Sequence, residues 1–176
     1  VYINSQYQVL EIADTSSNYI KALFNEQEKF ILTSKQKNQI SLSDIQNANA
    51  IIVNQSISLS SGIISAINKS ISEGTNLIII PNQYQQLNTL NEQLLAFDLP
   101  EFTEKIIEKT EIKQINLNHP IYNEAISKVN ENTKFPEIRQ YFRVNANNSF
   151  NPLLLNDFKE PLLLHAQSGN GNIYLF

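Results

Sequence analysis

The stretch AIIVNQSISLSSGIISAINKSISEGTNLIIIP, residues 50–81, reads as strand, helix, strand. Ala50 to Asn54 and Thr75 to Ile80 are apolar runs, not alternating ones. Such runs belong to strands covered on both faces, as in a parallel sheet between helix layers. The spacing between them predicts a helix from about Ser58 to Glu73. Ser58 is the expected N-cap, because its hydroxyl can accept from an unpaired first-turn N–H. Ser60, Ile63, Ile64, Ile67 and Ile71 recur at steps of three and four and so share one face. Asn68, Lys69 and Ser72 fall on the other side. Gly74 follows, where a left-handed residue closes a helix at least cost. Isoleucine is only a fair helix former, so burial against the sheet must stabilise this helix.

Before this unit lies a second of the same kind. YQVLEIA (Tyr7 to Ala13) is a core strand ending at Asp14. Thr15 or Ser16 can cap a helix with Tyr19, Ile20, Leu23, Phe24 and Gln27 as its stripe. Phe30 to Thr33 is the next strand. Residues 34–49 are polar and cross an edge, with Leu42 and Ile45 dipping into the core. Two such units in succession imply right-handed crossovers and a doubly wound, mainly parallel α/β sheet.

After Pro81 the periodicity weakens. Leu87, Leu90, Leu94 and Leu95 fit a short helix. Thr103 to Leu117 alternates loosely, as one long or two short half-exposed antiparallel strands. His119-Pro120 makes a turn, Ile121 to Val129 a brief helix, and Ile138 to Val144 a strand. Leu153 to Leu155 is a short apolar run. The runs Pro161–His165 and Ile173–Phe176 flank Ser168-Gly169-Asn170-Gly171-Asn172, a strong hairpin signal. No linker separates two domains, so residues 1–176 read as one α/β domain.

Composition narrows the function classes. A net charge of −4 argues against a nucleic-acid partner, whose phosphates attract a basic surface. The charges are scattered, with no polybasic run to hold a membrane surface. No apolar run reaches the roughly 20 residues needed to span a bilayer. Cysteine is absent, which removes disulfides, thiolate metal sites and cysteine nucleophiles together. Methionine is absent too, so the sequence is expected to be a piece of a longer protein.

In open doubly wound sheets, ligands bind beyond the carboxyl ends of the strands. Asp14, Asn54, Ser56 and Asn82 stand there and are the candidate ligand-binding residues. Asp14 is the ionisable one, able to bind a cation or act as a base; capping the following helix is the plainer use of a carboxylate at that position. Ser56 lies near a helix N-terminus, a place that can bind anions. No glycine-rich phosphate loop and no G-x-S-x-G elbow accompanies it. A serine nucleophile needs a base, and His119 and His165 are the chain's two histidines. Two isolated histidines give no metal-ligand spacing, and no cofactor is implied. Glu101, Glu104, Glu108 and Glu111 interleave with Lys105, Lys109 and Lys113 as a solvated face. Tyr122, Phe135, Tyr141 and Phe142 could form a contact patch, but strand spacing favours core packing.

Several stretches in order carry a resemblance. They are V-L-E-I-A-D with Y-I-K-A-L-F (Val9 to Asp14, Tyr19 to Phe24), A-I-I-V-N-Q-S-I-S-L-S-S-G-I, S-E-G-T-N-L-I-I-I-P, N-H-P-I-Y (Asn118 to Tyr122), F-P-E-I-R-Q-Y-F (Phe135 to Phe142) and E-P-L-L-L-H with S-G-N-G-N-I-Y-L-F. Together they resemble the soluble region of BatA-like, aerotolerance-type bacterial membrane proteins. That resemblance implies a flavodoxin-like, class I glutamine amidotransferase-like fold. It also implies a membrane-anchored envelope protein with a periplasmic soluble domain and envelope protein partners. Amidotransferases carry a Cys nucleophile on an elbow after a core strand, and this chain has no Cys to place there. The family's G-K-G-x-V/I-Y ending stands here as Gly169 to Tyr174, with Asn170 where the basic residue is usual.

The leading expectation is therefore a non-enzymatic domain used for protein interaction or assembly. A small-ligand-binding domain at the strand ends is the alternative. A degenerate hydrolase or transferase is the third, and needs His119 or His165 beside a serine or carboxylate. For the central helix, Ile67→Ala should cost about 2–5 kcal/mol of stability in a urea melt. A loss below about 1 kcal/mol would place Ile67 off the buried face.

Overall fold

The two apolar runs of residues 50–81 lie side by side near the centre of one large sheet. The computed structural model describes residues 6–15, 17–25, 28–55, 58–122, 133–145 and 149–176. In chain order the elements are β1 (Tyr7–Ala13), α1 (Asn18–Asn25), β2 (Phe30–Lys35), α2 (Leu42–Gln46), β3 (Ala50–Asn54), α3 (Ser61–Glu73), β4 (Asn76–Ile80) and α4 (Leu87–Leu95). Six strands follow: β5 (Phe102–Ile106), β6 (Ile112–Ile115), β7 (Tyr141–Val144), β8 (Asn151–Asn156), β9 (Pro161–Ser168) and β10 (Gly171–Leu175). The main sheet has eight strands in the order β2-β1-β3-β4-β10-β9-β8-β6, and β5 pairs with β7 in a separate two-stranded sheet. From β2 to β10 all neighbours are parallel; β9, β8 and β6 extend the sheet antiparallel. This is the doubly wound, mainly parallel sheet with a C-terminal hairpin that the periodicity implies.

Each face has its own cover. Leu10, Ile12, Ile51, Val53, Leu77, Ile79, Ile173 and Leu175 pack in one cluster with Ile45 of α2, Ile67 and Ile71 of α3, and Leu90 and Leu94 of α4. Val9 and Ile52 face the other way, onto Ile20 of α1. Ile67 and Ile71 are fully buried, as the helical spacing requires. The helix starts later than expected, however. Ser58 has φ +54°, which excludes it from a helical cap, and Ser60 accepts from Ile63 N–H at 3.4 Å instead. Likewise Ser17 accepts from Ile20 N–H at the start of α1, two residues beyond Thr15, while Ser16 lies outside the described residues. The stripe of α1 is narrower than its sequence implies: Ile20 is buried, but Tyr19 is 87% and Leu23 66% exposed. Residues 34–49 do contribute Ile45 to the core, whereas Leu42 stays exposed. There Ser41 and Asp44 form a reciprocal capping box. Hydrogen bonds from Lys35 and from Ser41 hold the Asp44 carboxyl down to about 2.

The segment 103–117 divides between two sheets, as β5 in the small one and β6 on the edge of the large one. The helix expected at 121–129 begins as a single 3-10 turn, Pro120–Tyr122; residues 123–129 lie outside the described ones. The C-terminal hairpin is present, but its second strand is not peripheral. β10 inserts parallel to β4, with Ile173 beside Leu77, and antiparallel to β9. Its turn rests on the end of α3: Asn170 N–H donates to Ser72 O at 3.2 Å. Gly169 has φ +59°, and a Cβ there would stand 2.7 Å from Ser72 Cα. A Cβ on Gly171 would stand 2.3 Å from Thr75 O and 2.5 Å from Ile71 O.

A charged clamp ties the small sheet to the large one. Arg143 of β7 donates to Glu104 of β5 and to Glu160 just before β9, each at 2.5 Å. Tyr141 Oη donates to the other Glu160 oxygen at 2.5 Å. Burial pushes the Glu160 carboxyl up, but the Tyr141 hydroxyl and Arg143 guanidinium outweigh it and leave the group below its ordinary value. Below the sheet junction, Phe102 and Phe142 stack with centroids 4.6 Å apart.

Two tests follow from this packing. Gly171→Ala should destabilise by about 1–3 kcal/mol or more, since the new methyl meets backbone that cannot yield. Gly62→Ala, with nothing within 4 Å of its added Cβ, should instead be neutral or stabilise α3 by up to about 1 kcal/mol. Urea melts of the two variants check this, and equal effects would contradict the close approach at the turn. The second test is pH. A carboxyl depressed in the folded state contributes stability above its unfolded pKa and loses it as pH falls through the folded one. Glu160→Gln should therefore cost about 1–3 kcal/mol at pH 7. The difference from the wild type should shrink on acidification below the ordinary glutamate range.

Candidate functional site

The parallel strands deliver their carboxyl ends to one edge of the molecule, at Ala13, Lys35, Asn54, Ile80 and Leu175. Asp14, Asn54 and Asn82 gather there around a polar pocket of about 380 Å³, which Ser17, Tyr19 and Gln55 also line. Ser56, the fourth candidate, lies outside the described residues. Asn54 and Asn82 are engaged with neighbouring strands and turns. Asn54 is 6% exposed, and its Nδ2 donates to Glu11 Oε1 at 2.8 Å. Asn82 Oδ1 accepts from Tyr84 N–H at 2.9 Å, and its Nδ2 reaches Gln55 O at 3.4 Å. These amides build the strand ends. Asp14 is exposed, and Ser17 accepts from the Ile20 N–H in the first turn of α1.

Glu11 is the residue that sequence reading passes over. It is fully buried in the middle of β1, where it accepts from Asn54 and, at 2.5 Å, from Ser34 Oγ. A buried carboxylate is tolerable only with such donors. The one signal was an acidic residue inside an apolar strand, on the face shared with Val9 and Ala13.

Gln55 follows β3 directly with φ +50°, a left-handed conformation that costs a non-glycine residue about 1–2 kcal/mol. Its N–H donates to Ile80 O at 2.8 Å, which locks the backbone across the two strand ends. The turn that follows β3 therefore carries a carboxamide side chain at Gln55. Gln55 borders the polar pocket and also a second hollow.

That second hollow, about 320 Å³, opens between the carboxyl ends of β4 and β10 and the β5–β7 sheet. Its walls are mainly apolar: Ile80, Phe142, Val144, Leu162, Leu164 and Leu175 among them. Polar groups enter from Gln55, Gln83, Gln140 and Lys105. Lys105 is half-buried and donates from Nζ to Gln83 O at 2.6 Å. Sequence reading placed Lys105 on a solvated charged face; β5 turns it inward under the roof instead. Tyr141 is buried and Phe142 half-buried, so these aromatics are packing residues that double as cavity wall.

The histidines meet at the opposite edge. His119 Nε2 and His165 Nδ1 are 3.2 Å apart, and His165 Nε2 is 2.9 Å from Asn172 Oδ1. Asn172 in turn donates to Asn76 Oδ1, at the amino ends of β10 and β4. Burial and the neighbouring His165 push His119 below its ordinary value. These partners are an imidazole and amides, not the serine or carboxylate that the hydrolase alternative requires. Among the described residues no group of three or more His, Cys, Asp or Glu side chains could hold a metal ion.

In sequence the chain matches no protein-family model and no curated protein. In structure it is similar to a cytoplasmic protein from Salmonella typhimurium LT2, with a TM-score of 0.73 and 11% identity over 96% of this chain and 86% of that one. A protein described as ThuA-like from Bacteroides uniformis gives 0.66 and 12% over 100% and 83%. A β-galactosidase from Rahnella sp. R3 gives 0.63 and 10%, over 97% of this chain but only 28% of that one. The expectation of a membrane-anchored, periplasmic domain is corrected by these findings. The Salmonella typhimurium protein is described as cytoplasmic, none of the three is described as an envelope protein, and no described helix is long and apolar enough to cross a membrane. The likeness establishes the fold: a mostly parallel α/β sheet with helices on both faces, of the class I glutamine amidotransferase-like kind.

Proposed function

We propose that this chain is a non-catalytic α/β domain that binds a small ligand at the carboxyl ends of its parallel strands. The observation that carries this reading is the apolar-walled hollow of about 320 Å³ at that edge. Small-molecule sites are concave, mainly apolar and fitted with a few convergent polar groups, at volumes of about 300–1,000 Å³. The hollow meets each condition, and it occupies the position where open α/β sheets bind ligands. The non-catalytic part rests on Gln55. A carboxamide is no nucleophile, the chain has no cysteine, and the two histidines lie at the other edge.

A second reading, a protein-interaction or assembly domain, has its own support. β2 is an edge strand, and beside it Tyr19, Leu23 and Ile31 are exposed. Phe30 stacks obliquely between Tyr7 and Phe24 on the same rim. An exposed edge strand with apolar side chains invites pairing.

An NMR titration with neutral fragments of about 10–15 heavy atoms, a size suited to so small a hollow, separates the two. The ligand reading expects saturable amide shifts at Gln55, Gln83, Phe142 and Phe176, lost in Gln140→Trp while the circular dichroism is unchanged. Fragments that shift only residues of α1 and β2 would favour the interaction reading, and no saturable shift at the hollow would overturn the first.

A further inference from the structure

We infer that the ligand of this hollow is a small organic monoanion with a flat or branched apolar body, its acid group held by Lys105. The inference rests on the ligand-binding reading above and names the class of ligand.

Lys105 is the one charged residue in the described lining. The other basic side chains near carboxylates, such as Lys35, Lys109, Lys113 and Arg143, have ion-pair partners. Among the described residues Lys105 has none; its bond goes to the neutral Gln83 carbonyl. An ammonium has three N–H donors, so two remain for a ligand. A bound anion would supply the counter-charge that Lys105 lacks among the described residues. A single cation limits the ligand to a single negative charge, because a second would be buried uncompensated.

The rest of the hollow describes the body. Phe142, Val144, Leu164 and Leu175 offer no hydrogen-bonding side chain, so that part of the ligand is hydrocarbon. The volume, near the lower end for small-molecule sites, admits one ring or one short branched chain. Gln55 and Gln140 carry carboxamides that can donate to the second acid oxygen.

Isothermal titration of the full chain with phenylacetate, indole-3-acetate and 4-methylpentanoate, each against its own neutral amide, tests this. At least one acid should bind about tenfold or more tightly than its amide, the scale of a hydrogen bond to a charged group. Lys105→Met should reduce the acid to the level of the amide, and Lys105→Arg should restore most of the difference. Equal binding of acids and amides to the wild type would overturn the anionic class while leaving a ligand site in place. Acid binding that survives Lys105→Met would overturn the role of Lys105. No binding of any of the six compounds, together with no fragment shifts at the hollow, would remove both readings.

Discussion

The insertion of β10 between β4 and β9 is the constraint on which the rest of the molecule depends. One short strand is parallel to its neighbour on one side and antiparallel on the other. It therefore joins the five parallel strands to the three antiparallel ones. The insertion needs the preceding turn to lie against the end of α3, where neither glycine has space for a Cβ. In return the turn amide of Asn170 takes the Ser72 carbonyl, one of the last-turn acceptors that a helix leaves unpaired. Sheet continuity and helix capping thus share the same few atoms.

The insertion also shapes the carboxyl edge. Leu175 and Phe176 come to border the hollow because β10 runs parallel to β4. The roof is a separate two-stranded sheet, held by packing of Phe102 on Phe142 and by the Glu104–Arg143–Glu160–Tyr141 chain of charged hydrogen bonds. Gln55 divides the edge into two compartments. On one side, Asn54 borders the polar pocket while its amide donates to the buried Glu11, which also accepts from Ser34. On the other, the walls are mainly apolar, and among the described residues Lys105 has no carboxylate partner. Gln55 itself keeps a left-handed backbone at the end of β3.

Much of the fold was legible from periodicity. Continuous apolar runs marked β3 and β4, isoleucines at steps of three and four marked the buried face of α3, and paired glycines marked the hairpin. Boundaries were less legible: Ser58 and Ser60 are equally good caps by residue type, and only the left-handed backbone at Ser58 separates them. The exposed Tyr19 and Leu23 show the same limit, since a helix can carry more apolar residues than its sheet can cover. At the site, Asp14, Asn54 and Asn82 were placed together by the rule that strand ends converge. Glu11 was not, because burial of a carboxylate depends on donors from two other strands.

The sequence by itself determined the local units: which segments are strands covered on both faces, which face of each helix is apolar, where the chain must turn, and that no thiol chemistry is available. These follow from side-chain type at fixed spacing. The tertiary structure alone decided that β10 enters the middle of the sheet, that β5 and β6 part company, and that Lys105 faces a hollow instead of solvent. Each of those is a relation between residues far apart in the chain. Such relations are set by which apolar faces can be buried against each other at once, and no local spacing records them.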